Sequence, residues 1–283
     1  MSLNYEGLMR ARSSESRHYS DRDTMLYALG IGMGRDPMNE KELSFVYEKE
    51  LKAVPTMASA LLITFNMSML TDNGVNMQLV LHGEERLTLH QPLPVQGDIT
   101  YDLRVKDVFD KGKDKGALII TEAKARLSDG TPLFTIERNR FARGNGGSGG
   151  RKDGAPEPQV LPNRKADLTC TLDTRADQAL LYRLMGDRNP LHADPGFARG
   201  AGFAKPILHG LCTYGTACRA VLSAFCDYDP SRIKSFDVRF SAPVMPGDTL
   251  VTEMWDETGY LAFRTKVKES GVVVLNNGRC NLG

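Results

Sequence analysis

Ten residues of this 283-residue chain, Gly186-Asp187-Arg188-Asn189-Pro190-Leu191-His192-Ala193-Asp194-Pro195, place proton-exchanging side chains on a backbone that two prolines keep from being helical. The chain has only five histidines, and this one follows an aspartate by five residues. Pro190 restrains the loop between them, so Asp187 and His192 are held without entropy lost at each turnover. A carboxylate beside an imidazole is an acid–base pair near neutral pH, able to work on one bound water. Asn189 both donates and accepts, so it can orient that water. The same residue types also build a turn in which Asp and Asn bond their own backbone, and the motif alone leaves both readings open.

Gly210 lies 18 residues beyond His192, where Pro206-Ile207-Leu208-His209-Gly210 enters an apolar helical segment. A glycine at a helix N-terminus leaves backbone N–H groups pointing outward with the positive end of the dipole. Without a side chain, Gly210 admits a carbonyl oxygen and makes an oxyanion donor. An acid–base pair with such a donor can add or remove a proton next to a thioester or similar carbonyl. His192 and Asp194 offer two metal ligands with no third neighbour, so no metal is expected. His209 is expected to be structural, and Cys212, on the apolar stripe, to be buried rather than nucleophilic. Lys111-Gly112-Lys113-Asp114-Lys115 reads as a solvated hairpin tip that could also meet phosphate.

These residues sit in a chain with a faint internal repeat. Leu26-Tyr27-Ala28-Leu29-Gly30 resembles Leu181-Tyr182-Arg183-Leu184-Met185-Gly186 at an offset of 155 residues. Pro55 matches Pro206 at 151, and Gly97-Asp98 matches Gly247-Asp248 at 150. The constant order implies a duplicated module, with residues 1–143 as one repeat, 144–160 as a Gly-rich linker and 161–283 as the catalytic repeat. The segment Gly144-Asn145-Gly146-Gly147-Ser148-Gly149-Gly150 reads as a flexible linker or as a loop whose backbone approaches a ligand. At the junction that carries Asp187 and His192 in the second repeat, the first has Gly30-Ile31-Gly32-Met33-Gly34-Arg35-Asp36-Pro37, without a histidine. The junction therefore folds without them, which argues against a purely structural turn.

Each repeat predicts a short helix (about 21–32 and about 174–186), a longer buried helix, then strands. Leu211, Tyr214, Cys218, Val221, Leu222 and Phe225 follow a helical period, as do Ala58, Leu61, Leu62, Phe65 and Met69. Ile99, Tyr101, Leu103 and Val105 alternate with polar residues, and so do Leu261, Phe263, Thr265 and Val267, apart from Ala262. Period two with one charged face indicates antiparallel sheet covered on one side. The expectation is an α+β chain matching a double hotdog: two antiparallel sheets, each wrapping a long helix, paired within one chain.

Composition bounds the function. The chain is 41% apolar and 25% charged, with a net charge of +1, so no general field attracts nucleic acid or an anionic membrane. No apolar run approaches the roughly 20 residues of a membrane span, and the N-terminus lacks a signal peptide's apolar core. Met1-Ser2-Leu3 reads as an expression remnant. Five cysteines without a CxxC pair suit reduced, buried thiols, and the ending Asn281-Leu282-Gly283 is not a peroxisomal address, which makes the cytoplasm the expected compartment.

The run from Tyr182 to Tyr214 resembles the type 2 enoyl-CoA hydratase motif of MaoC-like proteins, through Gly186-Asp187-Arg188-Asn189-Pro190-Leu191-His192 and Pro206-Ile207-Leu208-His209-Gly210. The similarity extends to the two-domain hydratase 2 of peroxisomal multifunctional enzymes through Arg22-Asp23 to Gly32, Val80 to Glu84, Pro92-Leu93-Pro94, Asp110-Lys111-Gly112 and Phe236 to Pro246. The resemblance implies reversible R-specific hydration of trans-2-enoyl-CoA to (3R)-3-hydroxyacyl-CoA, with the CoA thioester as substrate and no metal or redox cofactor. It makes Asp187 and His192 the catalytic pair, has Asn189 support the water and gives the thioester oxygen to the Gly210 N–H. Which of the pair protonates the α-carbon stays open. Substrate contacts are implied at His82, Gly83, Lys111 and Phe240, and a first-half glutamate at Glu48. No dehydrogenase domain is attached, so a stand-alone enzyme is expected.

Departures from the family pattern are Arg143, where an apolar residue is expected, and the basic run Arg138, Asn139, Arg140. That strand reads as a solvated face or as a contact for CoA phosphates. Met57, Met67, Met69 and Met77 suit an adaptable channel for a medium or long acyl chain, and ordinary core packing explains them equally. Alternatives are dehydration of another 3-hydroxyacyl thioester, a hotdog thioesterase and a noncatalytic acyl-CoA-binding module. The two repeats can pair within one chain, and a homodimer of such pairs is compatible with the sequence.

Overall fold

A computed structural model describes residues 3–63 and 67–283. The first half runs α1 (Tyr5–Arg10), β1 (Arg12–Tyr19), α2 (Asp21–Gly30), α3 (Glu40–Leu43), α4 (Met57–Leu61), α5 (Ser68–Thr71), β2 (Val80–Leu89), β3 (Gly97–Asp110), β4 (Ala117–Leu127) and β5 (Pro132–Ala142). The second runs β6 (Leu168–Asp173), α6 (Gln178–Tyr182), α7 (Pro195–Gly200), α8 (Gly210–Phe225), β7 (Ile233–Phe240), β8 (Thr249–Glu257), β9 (Tyr260–Val267) and β10 (Val273–Leu282).

The strands form one sheet in the order β1-β3-β4-β5-β2-β7-β10-β9-β8-β6, with antiparallel neighbours throughout. From either edge inward the two halves contribute equivalent strands in the same sequence. They meet where β2 pairs with β7, and there Arg86 faces Asp237, its own counterpart 151 residues on. The approximate two-fold axis of the duplication therefore passes through this seam. The expected two sheets are one sheet, because joining β2 to β7 pairs two edges that would otherwise expose unpaired backbone groups.

The period-two alternation holds. Ile99, Tyr101, Leu103 and Val105 are buried while Asp102, Arg104 and Lys106 are exposed, and Leu261, Phe263, Thr265 and Val267 are buried. Helix α8 is the expected long buried helix, lying against β6, β7 and β8. The first half differs. Helix α4 stops at Leu61 and α5 begins at Ser68, so Ala58, Leu61 and Met69 belong to two short helices; Phe65 lies outside the described residues. The β-branched Ile63, a residue that loses side-chain freedom in a helix, follows the end of α4. The short helices are α2, as expected, and α6, which starts four residues later than the pattern implied and ends in a 3-10 turn over Arg183–Met185.

The two halves are also joined through their helices. Gln178 on α6 donates to the Gly30 carbonyl at 2.5 Å, and the Tyr27 and Tyr182 rings pack edge-on at 6.0 Å. Arg219 on α8 makes a buried ion pair with Glu42 on α3 at 2.7 and 3.0 Å.

The Gly-rich segment is folded onto its own chain. The Asp110 carboxylate accepts hydrogen bonds from the backbone N–H groups of Gly112 and Gly147 at 2.9 Å and of Gly149 at 3.2 Å. Residues 111–115 form the expected exposed hairpin tip between β3 and β4, and the glycine loop is thereby tied to its base.

Candidate active site

The loop that carries Asp187 and His192 begins at Gly186, whose φ of 122° ends the 3-10 turn after α6 in a region that disfavours residues with a Cβ. Asp187 follows, and its Oδ1 accepts from the Asn189 N–H at 3.2 Å. Asn189 caps a second 3-10 turn over Pro190–His192, its Oδ1 accepting from the Leu191 N–H at 3.1 Å. The turn reading of the motif holds: Asp and Asn build a self-bonded turn, and that turn carries His192. Asp194 is spent on capping α7, accepting from Gly196 and Phe197 N–H groups at 2.7 and 3.0 Å.

His192 is buried, with Nδ1 at 2.9 Å from the Ile207 carbonyl oxygen. A carbonyl only accepts, so Nδ1 carries the proton and Nε2 of the neutral ring keeps its lone pair. Burial holds the His192 pKa below its ordinary value, against the raising influence of the Ile207 carbonyl and of Asp187. The ring is neutral and basic at the pH where a general base is useful.

His209 completes this corner, which the sequence did not indicate. Its ring stacks on His192 with centroids 3.7 Å apart and planes 26° from parallel. Its Nε2 lies 3.2 Å from the Asp187 carbonyl oxygen, and its Nδ1 is buried with no hydrogen-bond partner among the described residues. Burial and then the neighbouring His192 hold its pKa well below the ordinary imidazole value. One oxygen of Asp187 and one nitrogen from each of these rings lie within 4.8 Å of one another. The group that gathers is thus Asp187, His192 and His209 and not His192 with Asp194, but the trio fits an ion poorly. Stacked rings hold their in-plane lone pairs in separate, near-parallel planes, so no one ion lies in both, and His192 Nδ1 and His209 Nε2 are already engaged.

Gly210 follows directly as the first residue of α8, and its N–H finds no acceptor among the described residues. A Cβ placed there would meet the Phe240 ring at 3.2 and 3.3 Å, so a side chain would press on it. Phe240, the last residue of β7, in turn lies 4.6 Å from the His82 ring on β2, beside Gly83. The seam between the halves thus brings His82, Gly83, Phe240 and Gly210 together.

His82 is held from below. Its Nε2 lies 2.9 Å from the wholly buried Glu85 carboxylate, which Arg138 also grips at 2.9 and 3.1 Å. Burial raises the Glu85 carboxyl, but Arg138 and His82 outweigh it and hold it at about 2. Burial lowers the His82 pKa, against Glu85. Arg138 donates further to the carbonyls of Leu62 and Ser59, and Arg140 donates to Thr121 at 2.6 Å. The solvated-face reading of Arg138, Asn139 and Arg140 is overturned: all three are buried. A buried arginine is tolerated where a carboxylate compensates it, and Glu85, directly opposite Arg138 on the neighbouring strand β2, supplies that. Arg143, by contrast, is exposed.

Two expected contacts stand apart. Lys111 is exposed on the hairpin tip, its Nζ 5.8 Å from the Phe109 ring centre. Glu48 is exposed in the turn after α3, with no hydrogen bond or ion pair among the described residues; Glu42, six residues earlier, is buried. Cys212 is buried as expected, its thiol 3.3 Å from the Gly30 carbonyl, and burial pushes its pKa up.

Comparison with known proteins agrees with this architecture. Residues 18–144 match the MFE-2 hydratase 2 N-terminal domain, and residues 156–277 match the MaoC like domain. The chain is 41% identical over 244 residues to the enoyl-CoA hydratase ChsH3 of Mycobacterium tuberculosis, covering 84% of each chain. It is 40% identical to the peroxisomal multifunctional enzyme type 2 of Mus musculus over 95% of its own length and 37% of that longer protein. A MaoC-like dehydratase from Phytophthora capsici superposes with a TM-score of 0.88 at 33% identity, covering 99% of this chain and 98% of that one. The chain belongs to the MaoC-like hydratase 2 family, with the double-hotdog fold, and is an enzyme of the hydratase–dehydratase type.

Proposed function

We propose that the protein catalyses the reversible, R-specific hydration of trans-2-enoyl-CoA to (3R)-3-hydroxyacyl-CoA. The observation that carries this reading is the gathering of Asp187, the neutral buried His192 and the unbonded Gly210 N–H at one helix end. In the hydration direction, water oxygen bonds to C3 while the pair takes one proton from that water and returns one to C2. The charge that develops on the thioester oxygen falls to the Gly210 amide. His192, with Nε2 free, suits the proton-accepting role. Asn189 keeps its amide N–H donors free to hold the water, since its Oδ1 is engaged in the turn.

His82, Gly83 and Phe240 line the approach beside Gly210, and Lys111 on its tethered hairpin meets the CoA phosphates. Met57 and Met69 are buried in the first half, which favours an apolar path for a medium or long acyl chain. The reaction needs no metal or redox cofactor.

The test is a series of trans-2-enoyl-CoA substrates from short to long chain, following loss of the conjugated thioester absorbance. Stereospecific 3-hydroxyacyl dehydrogenases assign the product and a thiol reagent detects free CoA. The reading predicts R product, no free thiol and higher kcat/KM at medium or long chain. An S product, or release of thiol in step with absorbance loss, contradicts it.

A further inference from the structure

We propose that His209 is a positioning residue for the acid–base pair: its ring sets the plane of the His192 imidazole, and its Nε2–H fixes the peptide of Asp187. The inference rests on Asp187 and His192 being that pair. His209 is 1% exposed and stacks on His192 at 3.7 Å. Its Nε2 faces the Asp187 carbonyl, which only accepts, so the proton is on Nε2 and the lone pair is on Nδ1. That Nδ1 is buried and unpartnered among the described residues, an arrangement that costs stability. An apolar ring of similar shape would stack as well and avoid the cost. The imidazole is therefore explained by what its other nitrogen does, which is to hold the loop carrying Asp187.

The placement in the chain extends the argument. His209 immediately precedes Gly210, so one residue bonds the Asp187 peptide, stacks on the His192 ring and leads into the amide at the start of α8. The Tyr182 ring packs against it at 5.0 Å. A displacement of any of these three groups by a fraction of an ångström changes how well a near-attack geometry is met.

Three variants separate positioning from packing. His209→Phe keeps a buried ring and loses the donor, His209→Gln keeps a donor and loses the ring, and His209→Ala loses both. The expected result is a kcat lowered about 10–100-fold in the Phe variant, with KM for enoyl-CoA within about threefold of the parent. The Gln variant lies between parent and Ala. Melting temperatures are measured alongside. A folded Phe variant with kcat within about twofold of the parent overturns the inference, since packing alone then suffices. Should the Phe variant not fold, the Gln variant decides: parental kcat without the ring overturns it equally. Undiminished activity in Asp187→Asn and His192→Ala would instead show that the reading of the pair has failed.

Discussion

His192 reports its own protonation state through its surroundings. The Ile207 carbonyl fixes the proton on Nδ1, and burial disfavours a second one. A base that must be neutral to work loses activity as pH falls through its pKa. The acidic limb of the kcat/KM profile is therefore expected below the ordinary imidazole value of about 6.5. A limb at or above that value contradicts His192 as the base. Gly210 gives a second prediction at this scale. Gly210→Ala keeps the amide but forces a methyl group against the Phe240 ring, 3.2 Å away. kcat/KM is expected to fall roughly 10²-fold through misplacement of the oxyanion donor, with little change in melting temperature. The placement of Asp187, Asn189 and His192 on one non-helical loop and of Gly210 at a helix start was legible, because stiffness and helix entry are local properties of the sequence. His209 was not, because its role comes from stacking on a residue 17 positions earlier, a contact that no local pattern encodes.

The β3–β4 hairpin shows what an element does for the residue it carries. Lys111 belongs by sequence to a solvated hairpin tip, and the Asp110 carboxylate beside it gathers three backbone amides from the hairpin and the glycine loop. The glycines are needed because a nest of amides must close on a carboxylate of the same chain, not on a bound phosphate. Asp110→Ala is expected to loosen the tip and raise KM for enoyl-CoA roughly tenfold. The corresponding N-acetylcysteamine thioester, which lacks the CoA phosphates, should react as it does with the parent. Equal losses on both substrates would mean that Asp110 supports the fold rather than the CoA contact. On β5 the sequence misled. A basic run on a strand looks solvated, and the compensating Glu85 lies on β2, more than 50 residues away. The first-half helix misled for the opposite reason: an apolar period runs through residues that belong to two short helices, α4 and α5.

At the scale of the molecule, the repeat visible as three short matches becomes the palindromic order of a single sheet. Strand alternation foretold the sheet's buried face, but strand order depends on pairings between distant segments that alternation does not specify. The asymmetry between the halves carries the function. Both supply a strand to the seam, while α8 and its preceding loop carry the proposed reacting groups. Glu42 and Arg219 lock the first half to α8 by a buried pair, 2% and 9% exposed. Glu42→Ala leaves a buried guanidinium uncompensated, and a loss of roughly 3–5 kcal/mol in unfolding free energy is expected. Denaturant unfolding measures it, and a loss below about 1 kcal/mol contradicts the strut.

The central claim is that Asp187 and His192 form the acid–base pair of a hydratase. The direct test mixes the parent, Asp187→Asn and His192→Ala proteins with a medium-chain trans-2-enoyl-CoA and follows loss of its ultraviolet absorbance. Rapid loss in the parent, with each variant folded and slower by about 10²–10⁴-fold, is the predicted result. Parental rates in either folded variant, or no turnover by the parent at any chain length, would contradict the claim.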